Sequence, residues 1–167
     1  MAETMVRMGE FAFSATAGDM LVSLGLGSCI GLALLDRRAA VAGLAHVVLP
    51  AAEGRAGSPG KFADTAVPAL LEAVLGLGAR RMRIEAVLVG GASMFSFGGN
   101  GLEVGQRNDA AVRDELKKLR IPIAAAETGG SKGRTVRVTV ESGLVTSKAA
   151  GEAELPLYPK TRTAVAA

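Results

Sequence analysis

Cysteine and histidine each occur once in this 167-residue chain, tryptophan does not occur, and the aromatic residues are five phenylalanines and one tyrosine. One thiol excludes an intrachain disulfide and suits a reducing compartment. One Cys and one His cannot form a zinc cluster, and no dense carboxylate group suggests calcium, so no metal is expected. So few aromatics offer little for stacking on bases. The basic residues fall in short clusters, such as Arg37-Arg38 and Arg80-Arg81-Met82-Arg83, which read as solvated surface and not as a nucleic-acid interface. Charged residues make up only 21% of the chain, against 49% hydrophobic residues, with a net charge of +3. That is a globular composition with a large core, in a chain long enough to need no disulfide or metal to hold it. The uncharged run 20–35 is shorter than the ~20 residues of a membrane span and is interrupted by glycines. Glu3, Arg7 and Glu10 do not fit the layout of a signal peptide. These features predict a cytoplasmic protein without membrane insertion.

Short apolar runs bounded by glycine or polar turns read as buried strands, here over residues 20–26, 30–35, 41–49 and 84–89. Residues 121–126, 135–140 and 144–147 read the same way, with Val136, Val138 and Val140 alternating with polar residues. Residues 63–77 place Val67, Leu70, Leu71 and Val74 on one helical face, with Asp64 near the start and Pro68 assigned to the first turn or so. The glycine-rich stretch 97–105 reads as a loop. Asn108 is a suitable N-cap for a second helix reaching about residue 119. Many strands and two main helices without regular alternation predict an α+β fold with mainly antiparallel strands. No repeat or second domain is evident. The pattern decays after residue 148, which predicts a single domain over 1–148 and a loosely attached tail over 149–167.

A Cys–His mechanism within one chain must use Cys29 and His46. An ordinary thiol is only a few per cent thiolate at neutral pH; a neighbouring imidazole can take its proton and later protonate a leaving amine. Cys29 follows Gly25-Leu26-Gly27-Ser28, where the chain bends between two apolar runs. Glycines there allow unusual backbone angles, and the bend can aim backbone N–H groups around Gly27 and Ser28 at a bound carbonyl. A third residue should orient the imidazole. Ser23 is one candidate, and Asp19, Asp36 and Asp64 are others. The glycine-rich segments 25–30 and 129–134 match neither the dinucleotide nor the phosphate-loop pattern.

The segments Ser23-Leu24-Gly25-Leu26-Gly27-Ser28-Cys29-Ile30 and Ala42-Gly43-Leu44-Ala45-His46-Val47-Val48-Leu49-Pro50 resemble motifs of the CheD family of chemoreceptor glutamine deamidases. So do residues 60–66, 90–95, 105–108, and 128–130 with 133–134, in order and spacing from about residue 7 to about 148. The resemblance implies a layered α/β sandwich with Cys29 as nucleophile and His46 as its base. The family's third catalytic residue, usually threonine, falls on Ser23, and an aspartate more usual in the family falls on Glu127. It further implies conversion of glutamine to glutamate on methyl-accepting chemotaxis receptors through a thioester, with release of ammonia and no cofactor. A CheC-type phosphatase is the implied partner. The alternative is an adaptor for that phosphatase with little or no catalysis of its own.

Overall fold

A computed structural model describes residues 2–93 and 103–159. Part of the expected loop 97–105, Met94 and Phe95 of the 90–95 motif, and residues 160–167 lie outside them. The described residues form ten strands and two α-helices. One sheet runs β1 (Glu3–Met5), β3 (Met20–Leu26), β8 (Arg134–Thr139), β9 (Val145–Ala149), β10 (Glu154–Tyr158). The other runs β2 (Phe11–Ser14), β5 (Val41–Val47), β4 (Ile30–Asp36), β6 (Glu85–Gly90), β7 (Ile123–Thr128). Pairing is antiparallel except β1 with β3 and β6 with β7. This is the expected α+β layered sandwich.

The second sheet is the middle layer, and β4 is its central strand, buried along its whole length. Successive side chains of a strand point to opposite faces. Ile30, Leu32 and Leu34 therefore pack with Val67, Leu70, Val112 and Leu116 of the helices α1 (Ala63–Gly76) and α2 (Val104–Lys118). Cys29, Ala33 and Leu35 pack against Leu21, Val136 and Val138 of the first sheet. Burial on both faces favours apolar residues, which is why β4 reads as an apolar run from Ile30 to Leu35 that closes on Asp36. Helix α1 comes close enough to β5 that a β-carbon at Gly43 would lie 2.7 Å from Leu70 Cδ1. Truncating Leu70, fully buried, to alanine would cost about 2–5 kcal/mol.

Several sequence expectations need correction. Pro68 stands in the second turn of α1, beyond the first turn, and removes one i→i−4 bond there. Helix α2 starts at Val104, so Val104 and Gly105 are helical and Asn108 is an interior residue, not the N-cap. The segment expected as a loose tail is ordered over Glu154–Tyr158, which pairs with β9 and buries Tyr158, whose hydroxyl donates to Glu85. Strands β1 and β2 are additional. Among the described residues no helix is long and apolar enough to cross a membrane.

Candidate active site

The chain passes between the two sheets at residues 27–29, the bend joining β3 to β4, and again at residues 6–10, joining β1 to β2. The candidate site lies between these two crossings. Gly31 pairs directly with His46 across β4 and β5. Cys29, two residues before Gly31, therefore lies diagonal to His46 on the face turned toward the first sheet. Such diagonal β-carbons lie within about 7–8 Å, and the thiol makes no hydrogen bond to Nε2 of the ring. The absent side chain of Gly31 matters here, because a β-carbon would come 2.9 Å from Leu26 Cδ1 and 3.0 Å from Val136 Cγ1.

The segment after β1 encloses His46. Its Nδ1 lies 3.0 Å from the Val6 carbonyl oxygen, its backbone N–H donates to the Glu10 carbonyl at 2.9 Å, and its carbonyl accepts from Gly9 N–H at 2.9 Å. A carbonyl can only accept, so Nδ1 carries the proton and Nε2 is left as the basic nitrogen. Nε2 is buried and has no hydrogen-bond partner among the described residues. Ser23 Oγ donates to the same Val6 oxygen at 2.8 Å. Ser23 and His46 thus meet at a shared backbone acceptor in place of the direct hydrogen bond the sequence suggested. The acidic candidates are engaged elsewhere. Asp19 accepts from Ser14 Oγ, Asp36 from Arg83 and the backbone of Arg38, Ala39 and Arg80, and Asp64 from Ala52 N–H.

Burial shifts both reactive groups. Cys29 is 7% exposed and His46 3%. Desolvation pushes the thiol up and the imidazole down, with the Val6 hydrogen bond and the Glu10 charge opposing the fall at His46. Both changes favour the neutral thiol and neutral imidazole at rest. His46 also lines a pocket of about 570 Å³ whose other walls are Met5, Val6, Arg7, Met8, Glu10 and Leu24. Gly25, at φ +61°, falls within an irregularity in the pairing of β3 with β8, beside which Leu24 turns outward to the pocket rim.

The bend carrying the thiol is held by its carbonyls. Gly27 O accepts from Ala92 N–H at 2.8 Å, Ser28 O from Asn108 Nδ2 at 2.9 Å, and Cys29 O from Gly91 N–H at 2.8 Å. Gly90, at φ +117°, is required here, because a β-carbon would overlap the Cys29 carbonyl. Arg134 steadies the supporting loop by donating to Gly90 O and Gly129 O, while Glu127 lies 3.2 Å from its Nε and accepts from Ser147. Sequence reasoning missed the Val6 carbonyl, which no residue type announces. It noticed Asn108 but gave it the wrong task.

A family described as CheD chemotactic sensory transduction matches residues 48–149. The probable chemoreceptor glutamine deamidase CheD of Methanococcus vannielii is 43% identical over 148 residues, covering 88% of this chain and 95% of that protein. The chemoreceptor glutamine deamidase CheD of Thermotoga maritima is 40% identical over 154 residues, covering 92% and 96%. The probable enzyme of Clostridium botulinum strain Hall is 42% identical over 137 residues, covering 80% and 85%. With a matched family region of more than half its length and relatives this similar along nearly all of it, the chain belongs to the CheD family.

Proposed function

We propose that this protein is a cytoplasmic deamidase that converts glutamine side chains of methyl-accepting chemoreceptors to glutamate. The observation that carries the reading is that the sole thiol, at the bend just before β4, and the sole imidazole, on β5, fall on the same side of the sheet, with the Val6 carbonyl fixing the imidazole tautomer. The names of the relatives supply the amide substrate.

The reaction begins from the neutral pair. As Cys29 sulfur attacks the side-chain amide carbon, its proton passes to His46 Nε2. The N–H groups of Ser28 and Cys29 receive the oxyanion, and Gly27 shapes the bend that presents them. The C–N bond then breaks, and ammonia leaves with the proton held by His46. Water attacks the resulting thioester, gives a proton to His46, and expels the thiolate, which recovers that proton. Ser23 assists by sharing the Val6 oxygen with the imidazole. The product carries a new carboxylate. The test is ammonia release from a chemoreceptor fragment bearing glutamine: the parent chain releases it and Cys29→Ala does not, whereas equal release by the variant eliminates this mechanism.

A second reading, an adaptor that binds a CheC-type phosphatase, draws support from the covered sulfur and from serine at position 23. It expects phosphatase binding together with negligible ammonia release by the parent chain.

A further inference from the structure

Asn108 lies in the second turn of α2 and is fully buried. Its side chain reaches two other elements at once. Nδ2 donates to Ser28 O at 2.9 Å and to Val48 O at 2.9 Å. Both partners are pure acceptors, so only the NH2 end of the amide can face them. One bond holds the bend that carries Cys29; the other holds the chain two residues beyond His46.

The geometry of the peptide unit gives this clamp a chemical consequence. In a trans peptide the N–H points opposite to the C=O of the same unit. Tying the Ser28 carbonyl to Asn108 therefore directs Cys29 N–H away from α2. Tying Gly27 O to Ala92 N–H directs Ser28 N–H away from Ala92 in the same manner. Neither of these N–H groups donates to an acceptor among the described residues. Two adjacent donors beside a nucleophile, with their own carbonyls anchored elsewhere, are preorganised for an anion that forms during reaction.

We infer that Asn108 is a positioning residue that builds the oxyanion-stabilising pair of Ser28 and Cys29 N–H groups by holding the Ser28 carbonyl. The inference rests on the deamidase reading above and deepens it. Asn108 touches no reacting atom; it acts through the peptide it holds.

The test separates oxyanion stabilisation from reactivity of the thiol. Iodoacetamide alkylates a thiolate by displacing iodide at a saturated carbon, so no oxyanion develops. Asn108→Leu and Asn108→Ser are measured in the full chain for kcat and KM of ammonia release and for the alkylation rate of Cys29 at the same pH. The expected result is a fall in kcat of about 100-fold, the loss typical of one misdirected donor, with KM and the alkylation rate within about twofold of the parent. Retained kcat overturns the inference, and so does a parallel fall in alkylation, which would mean that the thiol itself had moved.

If neither variant folds, the parent chain decides the matter. A peptide aldehyde derived from glutamine forms a hemithioacetal with Cys29, and its oxyanion should shift the Ser28 and Cys29 amide protons downfield while the Asn108 side-chain protons stay protected from exchange. Unmoved amide protons, or rapid exchange at Asn108, overturn the inference. Should the parent release no ammonia, or Cys29→Ala release as much, the deamidase reading and this inference fall together. An active, Cys29-dependent parent with fully active Asn108 variants sinks the present inference alone.

Discussion

Ser23 and His46 share one hydrogen-bond acceptor, the carbonyl oxygen of Val6, at 2.8 Å from the hydroxyl and 3.0 Å from the ring nitrogen. The imidazole is held by a main-chain atom, and the hydroxyl acts at one remove. Substitution at position 23 should therefore be mild. Removing the Ser23 hydroxyl deletes one buried hydrogen bond worth about 1 kcal/mol, so Ser23→Ala should lower kcat by less than about tenfold. Ser23→Thr keeps the donor and should change kcat by no more than about threefold. Steady-state ammonia release measures both. A loss of several hundredfold in Ser23→Ala would assign the serine a direct role.

The two titrations should move apart. Burial holds His46 below the range of an exposed imidazole, so kcat/KM should have an acid limb whose midpoint lies below that range. Glu10→Gln removes a charge that favours the imidazolium and should move the limb to still lower pH. Burial raises the Cys29 thiol, so its alkylation rate should climb only above the midpoint of an exposed thiol. Alkylation already complete at lower pH would reveal a preformed thiolate–imidazolium pair. Stability follows by linkage. The depressed imidazole contributes stability above the unfolded-state value, and this is lost as pH falls through the folded value, because the unfolded chain binds the extra proton first.

Gly90 is expected to tolerate no side chain. Its positive φ strains any L-residue, and an added β-carbon overlaps the Cys29 carbonyl oxygen, a backbone atom with nowhere to go. Gly90→Ala should destabilise the fold by about 3 kcal/mol or more, read from chemical denaturation. In any folded fraction Cys29 should alkylate at an altered rate.

Tyr158 should anchor the final strand. It is 8% exposed, its hydroxyl donates to Glu85, and burial followed by that hydrogen bond pushes its phenol up to about 12. Tyr158→Phe leaves an acceptor unpaired and should cost about 1–2 kcal/mol, and Tyr158→Ala about 3 kcal/mol. Calorimetry of both variants checks the order. No loss in either would return this segment to the status of a dispensable tail.

The central strands were legible because burial on both faces favours apolar residues, and β4 and β5 are apolar runs apart from Asp36 and His46. The candidate pair stood out because each residue type occurs once. Strands β1 and β2 were not, since each is a short strand at the margin of its sheet with partly exposed side chains, and their pairing supplies what the pattern lacks. The start of α2 escaped because Glu103 offers no side-chain cap and Gly105 reads as a loop. Gly105 is tolerated there because a β-carbon would collide with the Ala92 carbonyl, so close packing overrides helix propensity. Asn108 favours caps as a residue type, yet here it is spent on two carbonyls far away in sequence, which only the folded chain brings together.

The acceptor that steers the imidazole follows β1, a three-residue strand at the margin of its sheet. Marginal strands fray at free energies well below that of global unfolding. Lifting β1 away from β3 would carry Val6 with it and let the ring rotate, although the hydrophobic layers remained intact. Warming should then silence the enzyme before its core melts, and anything that clasps this border of the sheet would act as a brace for the base.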